Sequence, residues 1–405
     1  MAATCVDVVV HMAGGESSMK RTKTAETAFV PLHGLATLGA GGLTVSLFIW
    51  LLFMTAHPGQ PVPTFESLQA HALSSDVGWF VVRALQAGIG MMALLHIWLV
   101  VWMLKGLAAF KRSPRFTAFW QSHMGLQWMV RPLVLAMLVN VLFIVGLVFV
   151  PGLWNLREML FPGALLAFFL IAVDAVLLWM DHLSELYQVQ TDNAGSGLAG
   201  MFPAFTFAML SVGFSASAAM SHHKVTAGIG FTGAVILMVF ALFIASAHFV
   251  VQFPQMMRDG VKPAASGTLW MAIPISTILG IASFRLLMSA QHVWGAPVGD
   301  VLPAAVLLLF LSVQVFFYLL GRAVMNRNHG WHYLVTEQPQ AASFSLICPG
   351  VGLFVLGMFV VFRALQPLEV VDTTTMWLPL IVLLVLQIAT FGLFFRLLRR
   401  AMPNA

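Results

Sequence analysis

The sequence predicts an all-α polytopic membrane protein: ten transmembrane helices forming five helical hairpins in a quasi-fivefold ring around a central pore. Three observations predict it. The 405 residues are 60% hydrophobic and only 9% charged, with a mean hydropathy of +0.91, outside the range of a soluble domain. Most of the chain divides into apolar runs of about 20 residues, the length that crosses roughly 30 Å of hydrocarbon. Every second run carries a proline in its first half, at near-constant spacing.

The first 25 residues, with no apolar core ahead of a cleavage site, are expected to be a disordered cytoplasmic tail, and 401–405 a second one. The channel domain occupies 26–400. Its first span, 28–54, opens FVPLHGLATLG and holds Pro31; the second, 78–104, is plain. The third, 126–150, reads MVRPLVLAMLVN around Pro132, and the fourth, 162–180, is plain but for Asp174. The fifth, 199–220, reads MFPAFTFAMLSVG around Pro203, and the sixth, 227–252, follows at once. The seventh, 267–290, has AIPISTILG around Pro274; the eighth is 302–323. The ninth, 342–363, has ICPGVGLFVLG around Pro349, and the tenth, 376–397, closes the chain.

Charge sets the expected polarity. Fourteen Lys and Arg fall in the tail, the even-numbered loops and the C-terminus, and three (Arg157, Lys224, Arg363) on the opposite side. By the positive-inside rule both termini are cytoplasmic. The segment 181–198, with Asp181, Glu185 and Asp192 but no Lys or Arg, does not share this bias. A net charge of +5 gives no reason to expect nucleic acid. Two cysteines, Cys5 and Cys348, offer neither a disulfide framework nor a metal-type spacing.

The five prolines are separated by 101, 71, 71 and 75 residues, and Gly39, Asn140, Gly213, Gly280 and Gly357 follow them by eight residues on average. Proline removes a backbone donor and bends a helix, and irregular backbone at membrane depth is tolerated where it lines a cavity. The expectation is therefore an inner ring of odd spans lining a narrow passage with Pro31, His33, Thr37, Pro132, Pro203, Thr206, Pro274, Ser276, Thr277 and Ser345. The plain alternative for each is close helix packing by small residues.

These strings resemble a family. FVPLHGLATLGAGGLTVSLFIW, RPLVLAML, FPAFTFAMLSVGFSASAAM, AIPISTILGIASF and SFSLICPG are similar to the first, third, fifth, seventh and ninth helices of the plant slow anion channels and the bacterial tellurite-resistance protein TehA, over about residues 25–400. The resemblance implies a plasma-membrane protein, in bacteria of the inner membrane. It also implies a homo-oligomer, usually a trimer with a dimer as the other option, and one pore per subunit for small anions. No cofactor is implied. In that family a ninth-helix phenylalanine plugs the pore. Aligning SFSL places Leu346 there; aligning proline on proline places Cys348; Phe344 is the nearest aromatic, and Phe202 or Phe207 of the fifth span would be substitutes.

Ionisable groups inside a membrane are candidates for function. Asp174 is expected to make a structural ion pair or a subunit contact. Arg83, Arg285 and Arg363 near span ends are expected to reach for the interface, the other reading being a positive vestibule. Two rival functions stand beside a passive anion channel. One is a proton-coupled carrier of anions such as dicarboxylate, sulfite or tellurite. The other is a haem-binding redox subunit using His96, His123, His248 or His292. No P-loop, HExxH or nucleophile elbow is present, so an enzyme is not expected.

Overall fold

The computed structural model describes residues 29–188, 198–337 and 339–402, and every regular element among them is helical. Ten helices are long and apolar enough to cross a membrane. They are α1 (Pro31–Met54), α2 (Asp76–Lys111), α3 (His123–Phe149), α4 (Leu153–Tyr187), α5 (Phe202–Met220), α6 (Lys224–Asp259), α7 (Pro263–His292), α8 (Val301–Arg327), α9 (Ala341–Leu365) and α10 (Trp377–Ala401). All ten fall where the apolar runs predict. The limits differ most at α2, α4 and α6, whose polar ends continue the helix beyond the apolar run. Asp181 and Glu185, expected in a loop, are therefore helical. The tail 1–25, Cys5 and Asp192 lie outside the described residues.

Burial divides the helices into two classes. In the odd-numbered helices 56–89% of the apolar stretch is buried, in the even-numbered ones 22–39%. A helix that is apolar all round and buried belongs to the interior, whereas one buried on a single stripe belongs to the periphery. The odd helices touch in the order α1, α3, α5, α7, α9, and α9 returns to α1. Each even helix lies against the odd helices before and after it, and α10 lies against α9 and α1. His33, at the start of α1, meets the backbone of Ala401 at the end of α10. That end of the bundle is the terminal end; the opposite one is the far end.

The prolines act differently from the expected mid-helix bend. Four odd helices begin as a 3-10 segment and switch to α winding one or two residues before the proline. The segments are His123–Met129 before Pro132, Leu198–Met201 before Pro203, Pro263–Met271 before Pro274 and Ala341–Leu346 before Pro349. Pro31 itself starts a short 3-10 turn. Proline has no N–H to give the carbonyl four residues back, so one carbonyl inside each 3-10 segment is left without an α-type donor where the winding changes. The prolines inside regular α-helix are Pro162 and Pro254, both on even helices.

Polar side chains on the periphery fasten it to the interior. The Gln387 side chain on α10 accepts from Trp50 Nε1 at 2.7 Å and donates to Ser46 Oγ at 3.0 Å, both on α1. Gln314 on α8 donates to Thr277 Oγ1 and the Ile273 carbonyl of α7. His96 Nδ1 on α2 pairs with the Thr37 carbonyl at 2.8 Å. Asp174 forms the ion pair expected of it, with Arg131 on α3, and both side chains remain partly exposed.

Candidate functional site

A cavity of about 170 Å³ lies among all five odd helices. Each helix lines it with one stripe at i, i+3 or i+4 spacing, the residues that share a helix face. On α1 the stripe is Leu38, Gly42, Val45, Ile49 and Leu52. On α3 it is Met137, Asn140, Ile144 and Leu147, and on α5 Phe205, Met209, Val212, Ala216 and Met220. Helix α7 supplies Pro274, Thr277, Ile278, Ile281 and Arg285, and α9 supplies Cys348, Gly352, Val355 and Phe359. From Leu38 to Leu52 the α-helical rise gives a length of about 21 Å. The floor, at Leu38, Met137, Phe205, Pro274 and Cys348, lies mid-bundle, and the cavity extends from it toward the far end. On the terminal side of that floor Phe202, Phe344, Leu346 and Ile347 are buried.

The wall is almost wholly apolar, and its few polar groups are mostly engaged. Asn140 Nδ2 donates to the Ala136 carbonyl, and Thr277 Oγ1 donates to the Ile273 carbonyl. Arg285 is the exception. Its Nη1 donates to the Val212 carbonyl at 3.1 Å, and among the described residues no carboxylate pairs with it. A guanidinium carries five N–H donors and a permanent charge. Held against apolar walls without a fixed counter-charge, it favours a mobile anion beside it.

Of the ten residues expected to line a passage, Pro274 and Thr277 lie on the cavity wall, and so does Cys348, one of the constriction candidates. The others are placed elsewhere, each for a local reason. His33 stacks on Phe29 and meets the edge of Trp102, with Nδ1 on the Val30 backbone, so it is packed against α2 instead of standing in a mouth. Thr37 donates to the Leu99 carbonyl of α2, and Thr206 to the carbonyls of Phe202 and Met129. Ser276 bonds back to the Ala272 and Ile273 carbonyls of its own helix. Pro31, Pro132, Pro203 and Pro349 are buried where their helices begin and do not reach the cavity wall. Ser345 and Leu346 sit against Gly267 of α7, where the absent Cβ makes room for them.

The gate candidates separate in the same way. Phe207 presents its ring edge-on to Trp179 of α4 and Phe240 of α6, away from the cavity. Phe202 and Phe344 are buried without lining it, and Leu346 is not on the wall either. The aromatic of α5 that reaches the floor is Phe205, and the α9 residue is Cys348. Among the small residues that follow the prolines, Gly39 and Asn140 line the cavity. Gly213, Gly280 and Gly357 instead receive Phe168, Phe310 and Leu383 from even helices, so close packing governs those three. Arg285 and Phe205 were not singled out as lining: once Pro274 is known to face the cavity helical stepping leads to Arg285, whereas nothing in the sequence separates Phe205 from Phe202 and Phe207. Stepping i+3 and i+4 from Pro274 passes Thr277, Ile281 and Arg285, and the same stepping from Cys348 reaches Gly352, Val355 and Phe359.

Fold and site together define a polytopic helical membrane protein whose five buried helices enclose an apolar cavity bearing one cation, which has no carboxylate partner among the described residues. No family model matches the chain, nor does any curated protein or solved structure.

Proposed function

We propose that the protein is a passive channel for small anions, a divergent relative of the plant slow anion channels and TehA. In this reading the five odd helices form a quasi-fivefold ring, each paired with its even neighbour, and the cavity is the far half of a pore. The observation that carries the reading is Arg285. An uncompensated guanidinium inside a cavity made by all five buried helices attracts anions and repels cations. The closed contact order of the odd helices and the resemblance of their sequence strings support it. In this reading the pore is shut at the floor, where Leu38, Met137, Phe205 and Cys348 present apolar side chains from four of the five helices. An anion entering such a collar loses water without replacement, so the collar blocks by dewetting.

The Lys and Arg bias puts both termini in the cytoplasm, and the cavity then opens outward. A bacterial inner membrane and a homo-oligomer, a trimer or a dimer, complete the reading. Reversal potentials in liposomes under anion gradients at varied pH test it. A potential that follows the anion gradient alone is expected. One that also follows the proton gradient would assign the protein to the coupled carriers, and one that follows the cation would sink the proposal.

A further inference from the structure

A second recess lies on the periphery, between α4 and α6, with a volume of about 740 Å³. Its walls are apolar: Phe169, Val173 and Leu177 on α4 face Ile229, Ile236 and Phe240 on α6. The floor is Phe214 of α5, whose ring presses onto Gly233, 2.4 Å from where a Cβ would stand. The depth comes from small residues on α6. Gly228, Thr232 and Gly233 follow one another along the recess, and a Cβ on Gly228 would meet nothing closer than Trp294 at 3.9 Å.

The recess carries a charged side chain at one end only. Lys224 lines it at the far end of α6 and makes no ion pair among the described residues. The nearby acid Glu158 is already engaged by Ser221 Oγ and the His222 N–H, and lies beside Arg157. Lys224 and Phe240 are sixteen residues apart on one helix, about 24 Å by the α rise. One leaflet contributes about 15 Å of hydrocarbon, with the phosphate layer beyond it. The recess is therefore long enough for one acyl chain and ends in a cation at phosphate depth.

We propose that this groove is a phospholipid site, with one acyl chain seated on Phe214 between α4 and α6 and the lipid phosphate on Lys224. The site is independent of the anion pathway: it lies on the other side of α5 from the cavity stripe Phe205–Met209–Val212. A lipid here would also screen the Phe214–Gly233 contact from exchange with bulk lipid.

The test is retention of lipid by the full chain. Protein reconstituted in vesicles of phosphatidylglycerol, or of phosphatidylglycerol with dioleoylglycerol, is extracted into detergent, and the bound lipid is counted by mass spectrometry of the intact complex. Wild type should keep one phosphatidylglycerol and discriminate against the phosphate-free diacylglycerol. Gly228→Leu places a side chain in the open groove and adds helix propensity, so it should fold and lose at least about tenfold of the retained lipid. Lys224→Gln should lose about fivefold and, with it, the preference for phosphate, the size expected of one surface cation. Thr232→Phe repeats the blockade at a second position. The proposal is overturned if Gly228→Leu and Thr232→Phe retain lipid as wild type does, or if diacylglycerol is held as well as phosphatidylglycerol. It is equally overturned if Gly228→Leu converts an oligomer to a monomer, which would make the groove a seat for a second copy.

Discussion

Arg285 is the residue on which the anion reading turns, and its charge and its shape can be separated. Arg285→Gln keeps a donor for the Val212 carbonyl but removes the charge, and it should lower anion conductance about tenfold, the size of one lost charged partner. Arg285→Lys should restore much of it, because charge without the planar fork still attracts an anion. Single-channel currents in chloride or nitrate check both; an unchanged current in Arg285→Gln would remove the cation from the pathway. The floor gives a second test. Phe205→Ala and Cys348→Ala thin the collar and should raise conductance, while Leu346→Ala and Phe207→Ala should not, since those side chains rest on Gly267 and on Trp179 and Phe240. A larger current in Leu346→Ala than in Phe205→Ala would move the gate back to the terminal side.

At the scale of the helix, two kinds of contact are open to test. In Gly230 of α6 a Cβ would lie 2.6 Å from Ser217 Oγ, 2.8 Å from the Ala218 N and 2.9 Å from the Phe214 carbonyl. Backbone cannot step aside as a side chain can, so Gly230→Ala should destabilise by about 2 kcal/mol, read from thermal unfolding in detergent. Pro274→Ala should change stability by less than about 1 kcal/mol, because the proline marks a change of winding and does not strain a regular helix. A large loss there would mean that the 3-10 segment depends on the proline itself. These helices also show how much the sequence made legible. Apolar length located all ten spans, and the proline period separated the buried helices from the peripheral ones. The facing of each helix was not legible. Odd helices are apolar all round, so no polar stripe announces which side meets the cavity; Phe202, Phe205 and Phe207 look alike in sequence and point three ways in the structure. Hydroxyls misled for a related reason. Thr37, Thr206 and Ser276 satisfy backbone carbonyls, as a buried donor must, on helix faces away from the cavity, and Thr277, bonded in the same way, lines it only because its face turns inward.

On the scale of the whole molecule, the far end holds one contact between loops and one within a loop that respond to acid. Glu66, on the short helix Phe65–Leu73 between α1 and α2, accepts from the Gly152 N–H between α3 and α4 at 2.6 Å. That bond holds its pKa below the ordinary glutamate value. Asp372, ahead of α10, accepts from the Thr375 and Thr374 N–H groups and is held low by the Thr375 backbone in the same way. For a depressed carboxylate the stabilisation is complete above the ordinary carboxylate pKa and is lost as pH falls through the lowered value. Wild type should therefore exceed Glu66→Gln in thermal midpoint at neutral pH, and the gap should close on acidification. A gap independent of pH would mean the carboxylate is not the group that matters.

The 3-10 starts of the odd helices have a mechanical consequence. A residue rises about 2.0 Å in 3-10 winding and 1.5 Å in α winding, with about 20° less rotation in the latter. Rewinding the nine residues Pro263–Met271 would shorten α7 by about 4.5 Å and swivel its terminal end by about half a revolution. The peripheral helices, α-wound but for the four residues Leu153–Leu156, hold no such reserve and answer a thinner bilayer by tilting or kinking. A change of pitch in the interior and a change of lean in the exterior are thus two separate ways for this bundle to meet a change in membrane thickness.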